Sequence, residues 1–309
     1  MHCRSTEELE SLVAEAKPYA AHGKAADYIP ALSEVNAELL SVSLFYPDGC
    51  HYTGGDGNQV LTLQSISKVV TLALALMDRG EEYVFDRVGQ EPTGDPFNSI
   101  AKLETMNPSK PLNPMINAGA LAVTSMIGGS SVEERLGRIQ NFIREMTGGD
   151  AAGFNERIAL SEYETSHLNR ALCYFMKQSK VIQEDVEGLM ELYCKQCAIE
   201  MDCLSLAKMG CVFAMDGLNT MTGKQVMPPD VARICKTFMV TCGMYNASGE
   251  FAIKVGIPAK SGVSGGIMGA LPGKCGIGIF GAALDEKGNS LAGVKLLEFM
   301  SQKYSLSMF

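Results

Sequence analysis

The sequence predicts an α+β protein in which two terminal segments build one antiparallel sheet lobe and a helical lobe is inserted between them. Short apolar runs broken by turn residues lie near both ends of the chain. Helical periodicity dominates from about 66 to 230, interrupted by Gly-Gly and Pro-rich stretches, and no internal repeat or low-complexity tail complicates the plan. The sheet lobe is expected over about 1–64 and 231–309 and the helical lobe over about 65–230, with residues 1–309 forming a single domain.

In chain order, Ser5-Thr6-Glu7-Glu8 has the form of a capping box, and Leu9, Leu12 and Val13 mark one face of a first helix. Residues 39–46 partly alternate and lead into the turn Pro47-Asp48-Gly49, with Cys50–Thr53 as the returning strand. Val132–Met146 and Val186–Met201 are clear helical stretches. The Gly-, Ile-, Val- and Ala-rich span 263–284, with Pro272-Gly273 at its middle, predicts two strands and a turn. Val294, Leu297 and Met300 then belong to a closing amphipathic helix.

The chain has 309 residues, 46% hydrophobic and 20% charged, which is the make-up of a folded globular protein and excludes disorder. Its 26 Lys and Arg against 35 Asp and Glu leave a net charge of −9, which argues against a phosphate-tracking nucleic-acid binder. No apolar run is long enough to span a bilayer, and the most apolar helix contains Lys68. The first residues lack the apolar core of a signal peptide. Ten scattered Cys are therefore expected as reduced thiols in the cytoplasm. Cys194 and Cys197 form one CxxC, with no second pair and none of the four His close in sequence. A buried helical face is preferred there to a zinc or redox site, so no metal and no cofactor is expected.

Gln64-Ser65-Ile66-Ser67-Lys68 opens a stretch that is apolar on nearly every face, as expected of a core helix. Ser65 would sit at its first turn with Lys68 one turn on, on the same face. The positive end of the helix stabilises a developing oxyanion, and burial lowers the Lys pKa so that a neutral amine can take the Ser proton. A Ser cap followed by a solvent-reaching Lys is the alternative. A second box, Lys260-Ser261-Gly262-Val263, falls on a late strand. In serine hydrolases of the penicillin-binding type, K-[ST]-G lines the cleft opposite S-x-x-K; their third box, S-D-N, is absent here. The Gly in such a loop lets backbone N–H groups approach a substrate oxygen. Asn113–Ala120 enters a helix, and Ser161-Glu162, Asn169, Tyr193 and the Tyr245 turn are polar candidates that capping or surface roles would also explain.

Taken together these segments resemble the serine-dependent glutaminase family, β-lactamase-related enzymes that hydrolyse L-glutamine to L-glutamate and ammonia. The resemblance runs through Asp27-Tyr28-Ile29-Pro30, Gln64–Lys68, Asn113–Ala120, Ser161-Glu162 with Asn169-Arg170, Tyr193 before Gln196-Cys197, Cys242–Tyr245 and Lys260–Val263, in the family's order and over about 20–300. It implies a β-lactamase/penicillin-binding-protein-like fold, Ser65 as nucleophile, Lys68 as its base, Tyr245 assisting proton transfer, and an oxyanion hole from the N–H groups of Ser65 and Val263. It further implies that Tyr28, Asn117, Glu162, Asn169, Tyr193 and Tyr245 surround the bound glutamine, and that the protein is a homodimer or homotetramer. Glu162, the one carboxylate of the set, is assigned to the substrate ammonium as a charge-assisted pair. The competing readings are a β-lactamase or D,D-peptidase, an asparaginase, and an amino-acid sensor without chemistry.

Overall fold

The computed structural model describes residues 3, 5–27, 29–57, 59–105, 109–149 and 153–309, the side chain of Lys102 excepted. As the sequence predicts, the chain is α+β and its two ends meet in one sheet. Five antiparallel strands run in the order His51–Gly55, Leu40–Phe45, Cys275–Gly281, Gly266–Leu271, Ala259–Ser261. The late strand Cys275–Gly281 pairs with Leu40–Phe45 from Leu40 opposite Gly281 to Phe45 opposite Gly276. The Pro47-Asp48-Gly49 turn forms as expected, with Gly49 at φ +88° donating to the Tyr46 carbonyl.

Leu40–Phe45 is buried at every position, not at alternate ones, because helices cover both sheet faces. The terminal helices Thr6–Ala16 and Leu291–Tyr304 pack on one side and the helix Cys203–Ala214 on the other. The glycines of the late strands explain the second contact. A Cβ at Gly276 or Gly278 would fall 1.9 Å from the Ala207 carbonyl oxygen or 2.0 Å from that of Cys203, so the helix lies directly on bare backbone. Ser5 caps the first helix through the Glu8 N–H, while the Glu8 carboxylate accepts from the Tyr304 hydroxyl and so ties the two terminal helices together.

The helical half packs around Ser67–Arg79, in which every residue from Ser67 to Leu76 is buried. The helix Pro229–Cys242 straddles the lobe limit expected near 230. Its buried Val231, Ile234 and Phe238 belong to the helical core. The helix expected over 186–201 stops at Cys197, and Glu200–Asp202 instead pairs with Val60–Thr62. That pairing, extended by the Leu63 N–H donating to the Ile199 carbonyl at 2.9 Å, pins the segment before Ser65 against the helical half.

Candidate active site

Ser65 lies in a 3₁₀ turn, Gln64–Ile66, that feeds the helix Ser67–Arg79, one step ahead of the regular turn expected for it. Gln64 has φ +46°, and Tyr245, at the start of another 3₁₀ turn, has φ +51°. Each such left-handed non-Gly residue costs about 1–3 kcal/mol, and strain of this kind is held where surrounding structure requires the side chain's aim.

Lys68 is fully buried. Its Nζ donates to the Met115 carbonyl at 3.1 Å and to Asn117 Oδ1 at 2.7 Å. Burial lowers its pKa to about 8, against an opposing pull from Cys197 and Glu162. Both fixed acceptors are neutral, so an uncharged amine can satisfy them with its two N–H bonds and keep its lone pair free. Asn117, the first residue of the helix Asn117–Ser125, also donates through Nδ2 to Asn169 Oδ1 at 3.0 Å. One amide thereby links the amine to the substrate-binding candidates.

Glu162, on the helix Glu156–Thr165, is buried, and its Oε2 has no partner among the described residues. Burial raises its pKa to about 7, while hydrogen bonding from Gln64 and the Lys68 charge hold it down. A cavity of about 110 Å³ is lined by Ser65, Asn117, Glu162, Asn169 and Tyr193, together with Gln64, Phe97 and Cys197. Five of the residues predicted from sequence are thus brought to one space.

The Lys260-Ser261-Gly262 box falls on a late strand as expected, the edge strand Ala259–Ser261, and runs into a turn before the strand Gly266–Leu271. Its backbone lies against the Ser65 turn: a Cβ on Gly262 would sit 2.7 Å from the Leu63 carbonyl oxygen. Ser264 Oγ donates to the Thr62 carbonyl at 2.6 Å, closing the same contact. Among the described residues no backbone hydrogen bond uses the Val263 N–H. Lys260 is itself buried and donates to the carbonyls of Gly243 at 3.0 Å and Ser261 at 2.6 Å, so it stitches this strand to the turn that carries Tyr245.

Tyr245 and Val263 do not line the Ser65 cavity but share an apolar cluster with Ile29 and Phe97 at its edge. The Tyr245 hydroxyl is buried without a hydrogen-bonding partner among the described residues. Burial drives its pKa upward, and Ser65 is the neighbour that draws it back. The Phe97 ring lies 4.8 Å from the Tyr245 ring. Tyr28 lies outside the described residues. Phe97, Gln64 and Cys197 are among the cavity-lining residues that sequence reasoning missed, as are Ile29, Asn98, Thr165, Ser166 and Leu168. Gln64 and Cys197 stood inside the motifs, whereas Phe97 lies in an irregular segment with no periodicity to mark it. Cys194 and Cys197 are both buried on the helix Val186–Cys197, and burial pushes both thiols up. Among the described residues no group of three or more His, Cys, Asp or Glu is placed to hold a metal ion, and no helix is long and apolar enough to cross a membrane.

A family model described as Glutaminase matches residues 23–309. The chain is 68% identical over 309 residues to the Glutaminase of Shouchella clausii (strain KSM-K16), covering all of both sequences. A crystal structure of a Bacillus subtilis probable glutaminase superposes with a TM-score of 0.93 at 44% identity, over 98% of this chain and 97% of that one. A covalent complex of a Bacillus subtilis glutaminase with 5-oxo-L-norleucine, formed by reaction with 6-diazo-5-oxo-L-norleucine, superposes with a TM-score of 0.88 at 42% identity, over 98% and 99% of the two chains. Fold and relatives together define an amidohydrolase of α+β architecture. Within that class the chain belongs to the glutaminase family.

Proposed function

We propose that the protein hydrolyses L-glutamine to L-glutamate and ammonia through an acyl-enzyme on Ser65. The observation that carries this reading is the buried Glu162 carboxylate, whose Oε2 has no partner among the described residues, lining the same small cavity as Ser65. An α-ammonium group entering that cavity supplies the missing donor, and Asn169 and Tyr193 offer polar contacts to the α-carboxylate. Ser65 Oγ attacks the side-chain amide carbon as Lys68 Nζ accepts its proton. The developing oxyanion is met by the N–H groups of Ser65 and Val263, the second of which makes no backbone hydrogen bond among the described residues. The proton then passes to the departing nitrogen with help from Tyr245, ammonia leaves, and water releases glutamate from the ester. The covalent complex that a Bacillus subtilis glutaminase forms on reaction with 6-diazo-5-oxo-L-norleucine supports a nucleophilic route for the family. The same reading makes the whole chain one catalytic domain, working without a cofactor in the cytoplasm as a homodimer or homotetramer.

The test is glutamate or aspartate release by the purified protein, with L-glutamine, L-asparagine and benzylpenicillin compared side by side. Turnover of glutamine alone is expected: asparagine is one methylene shorter, so an anchored α-ammonium draws its amide away from Ser65. Penicillin acylation detected by mass spectrometry, or asparagine turned over as fast as glutamine, would replace this reading with one of its rivals.

The ammonium assignment gives a sharper expectation. Glu162→Gln should lower kcat/KM for glutamine by roughly 10²-fold or more, mainly through KM, because one partner of a buried charge pair is lost. In the native protein Glu162 is neutral below about pH 7 and ionised above it, so substrate capture weakens as pH falls through 7. A kcat/KM profile in which Glu162→Gln keeps that acid limb would show that another group is responsible.

A further inference from the structure

The cavity holding Ser65 is small, yet a much larger groove of about 560 Å³ lies next to it. Phe97 lines both, and Val263, Ala26 and Leu284 form part of the groove's apolar wall. The half-buried Phe97 ring lies 4.8 Å from the Tyr245 ring, and Lys68 Nζ is 6.0 Å from its centroid. Its carbonyl accepts from the Asn117 N–H at 2.8 Å, which anchors this irregular segment to the helix that carries the Lys68 acceptor. In the reaction proposed above the departing nitrogen takes its proton from Lys68 with help from Tyr245, the two groups beside which the Phe97 ring lies.

We propose that Phe97 is the specificity-determining residue that restricts the reaction to the primary amide, by closing the leaving-group side of the Ser65 cavity against the groove beyond it. This rests on glutamine hydrolysis at Ser65 as described above. A secondary γ-glutamyl amide carries an N-alkyl group where glutamine has a hydrogen, and that group meets the Phe97 ring. With the ring removed, the same group extends into the groove. The chemistry is otherwise unchanged: the Ser65 Oγ–carbon bond forms, the carbon–nitrogen bond breaks, the amine departs with the proton taken from Ser65, and water then frees glutamate.

The experiment compares kcat/KM for L-glutamine and γ-glutamyl-N-ethylamide in the native protein, Phe97→Ala and Phe97→Leu. The native protein should favour glutamine by about tenfold or more, since a substituent of this size in a closed pocket is worth roughly 10- to 200-fold. Phe97→Ala should raise the ethylamide-to-glutamine ratio by about tenfold, and Phe97→Leu, which keeps apolar packing on Tyr245, should move it the same way by less. A merely structural role would lower both substrates together and leave the ratio where it was. An unchanged ratio in either folded variant, a native protein that does not discriminate, or loss of both activities in both variants would overturn the proposal. Absence of glutamine turnover in the native protein would instead remove the parent reading. If Phe97→Ala fails to fold, Phe97→Leu decides.

Discussion

Ser65→Ala is expected to lower glutamine turnover by about 10⁴-fold or more, the scale on which removal of the nucleophile disables a serine hydrolase. The loss should fall on kcat, because the substrate contacts proposed for Asn117, Glu162, Asn169 and Tyr193 remain. Stability should barely change. The substitution deletes one hydroxyl in a turn whose backbone is held by other groups, the Ile66 N–H on the Leu63 carbonyl and Ser67 Oγ on the Gln64 carbonyl. Three measurements check this: glutamate release, the thermal midpoint, and mass spectrometry after treatment with 6-diazo-5-oxo-L-norleucine. The native protein should gain one covalent adduct and the variant none. A variant that turns over glutamine at the native rate, with its fold intact, sinks the acyl-enzyme on Ser65.

Much of this architecture is readable from local chemistry. The Pro47-Asp48-Gly49 and Pro272-Gly273 turns mark real hairpins, since residues with those backbone preferences have few other uses between apolar runs. The largely apolar stretch after Ser67 is a buried core helix for the reason its pattern implies. Reading becomes harder where tertiary contacts choose between equal local options. Residues 198–201 continue a helical pattern, yet Glu200–Asp202 becomes a strand because Val60–Thr62 offers it a partner. The sequence places a lobe limit near 230, but Pro229 is well suited to a helix's first turn, and the helix it opens packs into the helical core.

The site divides along the same line. Ser65 and Lys68 form a motif whose residue types already state a chemistry, whereas Asn117, Glu162, Asn169 and Tyr193 gain meaning only through the family resemblance; the fold gathers five of the six around one cavity with Lys68 bonded to Asn117 behind them. Phe97 carries no such mark. An aromatic in a loop gains meaning only from what the fold sets on either side of it, here Tyr245 and the groove. The weight of Gly276 and Gly278 is hidden for a similar reason. Glycine in a strand announces close approach without saying which element approaches.

Lys68→Met tests the other half of the mechanism. It retains the length and apolar body of the side chain and removes the amine, so turnover is expected to fall by about 10²- to 10⁴-fold, the range for a lost general base. In the native protein kcat/KM should rise with pH through about 8 as the ammonium gives up its proton; the residual activity of the variant should lack that step. Stability offers an independent check. The folded-state pKa of Lys68 lies below its ordinary value of 10.5, so between about pH 8 and 10.5 the unfolded chain binds more protons than the folded one at this position. Native stability therefore gains from this group as pH rises through that window, by roughly 3 kcal/mol at full extent. The variant has no such gain. Its denaturation midpoint relative to the native protein should decline steadily from pH 8 upward. A difference that stays constant with pH, or a native rate profile without a step near 8, would place the proton acceptor on another group, with the buried Tyr245 hydroxyl the next to examine.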